Sequence, residues 1–264
     1  ELVSGTWVIT ESINLPSSNG FKPRFISNDE SILFYSENNS YGLNIVFELN
    51  SSNEWINTAT TDQFISTASE DLKYVGFGSF GTDGILNYSE YSGGQFLDRG
   101  DPIDIGVVDP RLLGHIINNL GNTVAVSLWD IVNGSNPTVS QRNIRVFGYN
   151  ESTNLWTQKG NEIKGVIGRG NSNLKSFNIS PDGSKILAVS YNEIGEMSDS
   201  LKRYAYIAEY EFQSNDWVMS NFVPVFSGEI QNSILWGLQK NKTVLIIEPA
   251  VGIPGNYLKI KIFD

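Results

Sequence analysis

An all-β fold made of one repeated four-stranded antiparallel unit is predicted by three observations. The chain repeats itself, with Trp156 and Trp217 standing 61 residues apart at the same point of two similar segments. Its apolar residues alternate with polar ones, as in Tyr206, Ala208, Tyr210 and Phe212, or form short continuous runs such as Ile186 to Val189. Polar turn signals separate these runs, among them Leu120-Gly121-Asn122 and Pro181-Asp182-Gly183. No long stretch carries a 3.6-residue apolar period, so almost no helix is expected.

The repeat is clearest from Leu174 to Trp217, which reads LKSFNISPDGSKILAVSY, a polar loop, then RYAYIAEYEFQSNDW. Leu112 to Trp156 reads LLGHIINNLGNTVAVSLW, a loop, then RNIRVFGYNESTNLW. Phe21 to Trp55 and Asp62 to Phe96 follow the same grammar, with Phe96 at the tryptophan phase. A fifth copy begins at Glu229 and stops at Asp264 before any tryptophan, whereas the chain opens ELVSGTW with Trp7 at the missing phase. The fifth unit therefore reads as split across the two ends.

Four strands per unit and five units of about 50 residues describe a five-bladed β-propeller. Its last blade would be closed by the N-terminal strand. A twisted four-stranded sheet cannot cover both its faces alone, and stacking sheets around an axis covers them. The recurring Trp or Phe would fill the wedge between neighbours. The predicted layout is a single domain with blades near 15–60, 61–105, 106–165, 166–225, and 226–264 plus 1–14. Innermost strands are expected at Lys22 to Ser27, Asp62 to Thr67, Leu112 to Asn118, Leu174 to Ser180 and Asn232 to Gly237.

Composition bounds function by exclusion. The net charge of −11 disfavours phosphate backbones and anionic membranes, so neither nucleic acid nor the bilayer is an expected partner. No apolar stretch is long enough for direct membrane insertion. The chain has no cysteine, which removes disulfides, thiol nucleophiles and thiolate metal sites. The opening residues are not a signal peptide, so a mature product or one part of a larger polypeptide is expected.

Two resemblances follow from the repeats. SPDGSKILAVS, Ser180 to Ser190, resembles the core of WD-like propeller repeats found in many surface proteins. RNIRVFGYNESTNLWTQKGNEIKG, Arg142 to Gly165, resembles FG-GAP-type propeller repeats of extracellular proteins of microbes and algae. The resemblance implies a propeller at the cell surface or outside the cell. The DxDxDG calcium loop of integrin-type FG-GAP propellers is missing, and Trp129-Asp130 lies off the phase of true WD repeats. Neither calcium binding nor WD-type scaffolding is carried over.

His115 is the sole histidine and lies in LLGHIINN on an expected inner strand. It belongs among the candidate ligand-binding residues. With no nucleophile motif beside it, packing or channel lining is its expected role. Asp62 is the one acid among the expected inner strands. A glycoside hydrolase or lyase at a central funnel, needing two convergent carboxyl groups, is therefore the alternative function. Trp129 and Trp236 fall outside the blade-closing phase and are candidate stacking surfaces for sugar rings.

Asp98, Asp101 and Asp104 cluster in one acidic loop that could take Ca²⁺, the one cofactor considered; otherwise none is expected. Within that loop Arg99-Gly100-Asp101 spells the integrin-recognition tripeptide, a match short enough to arise by chance. Of the seven N-x-Ser/Thr sequons, Asn38, Asn50, Asn133 and Asn150 fall in expected loops. They are the expected glycan carriers if the source is a secreting eukaryote. Asn178, on an expected inner strand, is not. Together these point to a non-catalytic extracellular binding or structural propeller that contacts a protein or glycan ligand in adhesion or surface assembly.

Overall fold

In a computed structural model of the 264-residue chain, the described residues are 2–3, 6–7, 21–37, 43–78, 84–105, 111–131, 140–164, 172–194, 202–228, 234–239, 242–247 and 259–263. They contain strands and turns and no helix. In chain order the strands are β1 (Leu2–Val3), β2 (Thr6–Trp7), β3 (Phe21–Ile26), β4 (Ile32–Glu37), β5 (Asn44–Leu49), β6 (Trp55–Thr61), β7 (Ile65–Ala68) and β8 (Tyr74–Phe77). They continue with β9 (Ile85–Ser92), β10 (Gln95–Asp98), β11 (Ile103–Asp104), β12 (Arg111–Ile117), β13 (Thr123–Ile131), β14 (Ser140–Asn150) and β15 (Leu155–Gln158). The last are β16 (Ser172–Ile179), β17 (Lys185–Ile194), β18 (Lys202–Gln213), β19 (Asp216–Gly228), β20 (Ile234–Gln239), β21 (Lys242–Ile247) and β22 (Lys259–Phe263).

Each unit is an antiparallel meander. The first sheet is β3-β4-β5-β6, the second β7-β8-β9-β10 with β11 added to β9, the third β12-β13-β14-β15 and the fourth β16-β17-β18-β19. A fifth runs β20-β21-β22. The first strand of each falls where the repeat places it, with one correction. Asp62 does not belong to an inner strand: it is exposed in the bend between β6 and β7, because β7 starts only at Ile65. At the chain ends, β2 pairs with β1, and the described partner of β22 is β21.

One turn is built four times between the first two strands of a sheet, and local chemistry explains it. Ser27, Ser69, Asn118 and Ser180 each accept the backbone N–H five residues on through the side-chain oxygen, at 2.9 Å in all four. In the three serine turns the hydroxyl donates to the aspartate two residues later, Asp29, Asp71 or Asp182, at 2.5 to 2.6 Å. These bonds hold the Asp29 and Asp182 carboxyls below the usual carboxylate range. The fourth residue is left-handed in every copy: Glu30, Leu72, Gly121 and Gly183. Gly121 admits no side chain, because a Cβ there would run into the ring of Tyr74 in the preceding sheet.

The core sits in the seams between sheets. Phe34, Val46, Ile65, Leu72, Val75 and Tyr91 fill the first seam. Tyr88, Leu86, Ile117, Val126 and Phe147 fill the second, and Ile144, Val146, Ile179, Ile186 and Trp217 the third. Phe96, Trp156 and Trp217 are thus seam residues, as their phase predicts.

Candidate functional site

A bulge on the first strand brings together the one histidine and two hydroxyls. The ladder between β7 and β8 shifts between Ile65 and Thr67, and the residue left over is Ser66. Its Oγ reaches Nε2 of His115 on β12, in the next sheet, and lies 3.0 Å from the Gly76 carbonyl. Nδ1 of His115 meets the Tyr88 hydroxyl at 2.6 Å. Gly76 leaves the space, since a Cβ there would press on the imidazole, and a Cβ on Gly78 would press on Leu86 beside it. His115 and Tyr88 are buried.

Ser, His and a second hydroxyl in line imitate a nucleophilic triad, but the polarity runs the other way. The Ser66 proton goes to the Gly76 carbonyl, so Ser66 must accept from Nε2–H. Nδ1 must then accept from Tyr88. An imidazole already protonated on the nitrogen facing the serine cannot take the serine's proton. Burial moves the His115 pKa down to about 4 and pushes the Tyr88 phenol well up, so both stay neutral near pH 7. The assembly pins the second sheet to the third.

A second recurring device lies on the outer strands. Trp156 Nε1 donates to the Arg99 carbonyl and Trp217 Nε1 to the Lys159 carbonyl, both at 2.7 Å. The Arg99 guanidinium lies 4.3 Å from the Tyr149 ring centre, and the Lys159 ammonium 4.6 Å from that of Phe212. Arg99 Nε donates to the Gly121 carbonyl and Lys159 Nζ to the Gly183 carbonyl, matching turn positions. Gly100 and Gly160 follow, each left-handed and tight against the tryptophan it precedes in the fold. The Arg99-Gly100-Asp101 tripeptide is therefore half of an inter-sheet clasp, with its arginine largely covered.

The other predicted residues are dispersed. Asp98, Asp101 and Asp104 are exposed, and among the described residues no three His, Asp or Glu side chains come together as a metal site. Asp98 accepts a bond from Ser89 at 3.3 Å. Trp129 lies on β13 and Trp236 on β20, with side chains outside the described set. Asn50 and Asn150 open equivalent turns, each binding the N–H two residues on through Oδ1. Asn38 and Asn133 lie outside the described residues. Sequence reasoning missed Ser66, Tyr88 and Lys159. Gly76 within the short strand β8 and Gly78 just after it were the available signal of a close approach.

No protein-family profile matches the chain, and no curated protein matches it. Solved structures do. The Kuenenia stuttgartiensis hydrazine synthase aligns with TM-score 0.52 and 13% identity over 86% of this chain and 64% of that one. Proteins described as 6-phosphogluconolactonase-like align from Bacteroides fragilis (TM-score 0.46, 13% identity, 77% of this chain and 54% of that one) and Bacteroides uniformis (0.43, 13%, 95% and 85%). The chain spans less than two thirds of the first two. These are β-propeller-type folds, and the likeness to the first shows a β-propeller-like all-β fold here.

Proposed function

We propose that the chain is a single five-bladed propeller, with blades near 15–60, 61–105, 106–165, 166–225, and 226–264 plus 1–14. In this reading the Thr6–Trp7 strand completes the β20-β21-β22 sheet and the repeats are of FG-GAP or WD-like type. The domain works as a non-catalytic binding or structural module at the cell surface or outside the cell, contacting a protein or glycan.

The observation that carries the non-catalytic part is the polarity of the Ser66–His115–Tyr88 chain, which uses both ring nitrogens of the sole histidine for cohesion. The surface setting rests on the sequons and the repeat resemblance. A glycan array read alongside reducing-sugar release tests the function: binding with no product is expected. Product release that Asp62→Asn abolishes would establish the hydrolase instead. Removal of residues 1–14 tests closure. A large drop in thermal midpoint is expected, and an unchanged midpoint would refute the completed fifth sheet.

A further inference from the structure

The clasp between the second and third sheets is neutralised from within, and the one between the third and fourth is not. Arg99 is flanked by Glu90 at 3.5 Å and Glu151 at 3.4 Å. Register identifies their counterparts. Glu90 pairs with Leu97, the residue after Phe96, and Gly148 pairs with Thr157, the residue after Trp156. Gly148 thus stands where the second sheet has Glu90, and it carries no side chain. Glu151 sits in the long turn from Asn150 to Leu155, whereas the fourth sheet turns through Ser214 and Asn215 alone.

Lys159 therefore forms no ion pair among the described residues. The aspartates of the adjoining turns are already engaged: Asp182 by Ser180 and Ser184, and Asp216 by Asn161. Burial lowers the Lys159 pKa, and Asp182 offsets this only in part. Where the missing carboxylate would lie there is a groove of about 420 Å³ lined by Gly148, Asn150, Thr157, Gln158, Lys159 and Asn215, with Tyr149, Gly160 and Phe212. That volume lies in the range of small-ligand sites. Its lining is one cation surrounded by amides and a hydroxyl, the chemistry that recognises a carboxylate on a polyhydroxylated frame.

We propose that this groove binds the carboxylate of an acidic sugar, a uronate, which takes the place of the glutamate that Gly148 lacks. The proposal rests on the binding-module reading and names its ligand class. Gly148 is not left-handed, and a Cβ there would meet Lys159 at an ordinary 3.8 Å. Gly148→Glu can therefore supply the missing carboxylate from within, as Glu90 does.

The test uses ¹⁵N-labelled full chain produced in bacteria, so that Asn150 is bare, titrated with D-glucuronate, D-glucose and acetate. Saturable shifts at the Gly148, Gly160 and Asn215 amides are expected with glucuronate and not with glucose. Gly148→Glu should weaken glucuronate binding roughly tenfold or more, the worth of one charge-assisted contact, and Gly148→Gln less. An unchanged thermal midpoint, or a higher one, certifies the fold of the variants. Equal response to glucose, unweakened binding by Gly148→Glu, or no shift in the groove overturns the site. Acetate binding as well as glucuronate overturns the sugar assignment. A glycan whose shifts map elsewhere overturns this site while leaving the module reading standing.

Discussion

The seam between the first and second sheets and the two that follow it solve one problem by different means. In the first, β6 continues from Trp55 to Thr61 through a bulge at Thr58, with Thr58 and Ala59 where the clasp would be and the Thr58 hydroxyl 2.7 Å from that of Tyr91. Phe96 supplies the aromatic without an N–H, and an edge-to-face contact with Phe77 at 5.6 Å and tilted contacts with Tyr91 and Phe34 pack its ring. In the next two, β10 and β15 stop at Asp98 and Gln158, the chain turns at a left-handed glycine, and a cation and a carbonyl clasp the following tryptophan. A bulged outer strand turns a hydroxyl, that of Thr58, to the neighbouring sheet. A broken one frees a carbonyl for the neighbouring sheet.

The largest effect expected from breaking this contrast is at the tryptophan itself. Trp217→Ala removes a buried ring and its bond to the Lys159 carbonyl, and should cost roughly 3–5 kcal/mol in chemical denaturation. Thermal melting of the same variant would check that the loss is cooperative.

Acid should act on the second seam and spare the first. The folded-state pKa of His115 is about 4 against its usual 6.5, so the unfolded chain takes the proton first. The His115 contribution is fully present above pH 6.5 and is lost as pH falls from 6.5 towards 4. It amounts to about 3 kcal/mol at order of magnitude. Denaturation midpoints across that window should lose this slope in His115→Phe. An unaltered slope would mean the imidazole is not buried neutral.

Smaller again is the clasp glycine. Gly160→Ala combines a φ of 75° with a Cβ 2.9 Å from Trp217, and should cost roughly 1–3 kcal/mol. Ala59→Gly at the matching place in β6, beside the bulge, should cost roughly 1 kcal/mol or less. Equal losses at the two would dissolve the distinction between the seams. Smallest is Trp156→Phe, which converts the second seam to the chemistry of the first. Loss of one hydrogen bond to a carbonyl should cost about 1 kcal/mol.

The polar chemistry of the turns was legible residue by residue. Ser180-Pro181-Asp182-Gly183 carries its own bonds within six residues, so the string states the turn. Arg99-Gly100-Asp101 was not legible in the same way. The three residues resemble a recognition motif, yet besides Glu90 of its own sheet Arg99 engages Gly121, Tyr149, Glu151 and Trp156 of the next. Asp62 is expected on the inner strand but lies in the bend before it, because the apolar alternation does not mark where β7 begins.

The sequence by itself determined the all-β class, the strand order within each sheet, the first-hairpin turns and the phase of Trp55, Phe96, Trp156 and Trp217. These rest on side-chain alternation and on hydrogen bonds between residues a few positions apart, which any copy of the string will repeat. Only the tertiary structure decided that Ser66 and Tyr88 would hold His115, which cation would be neutralised and which left in a groove. Those outcomes depend on what the neighbouring sheet presents across the seam. Ser66 and His115 are 49 residues apart in the chain, and no local pattern couples them.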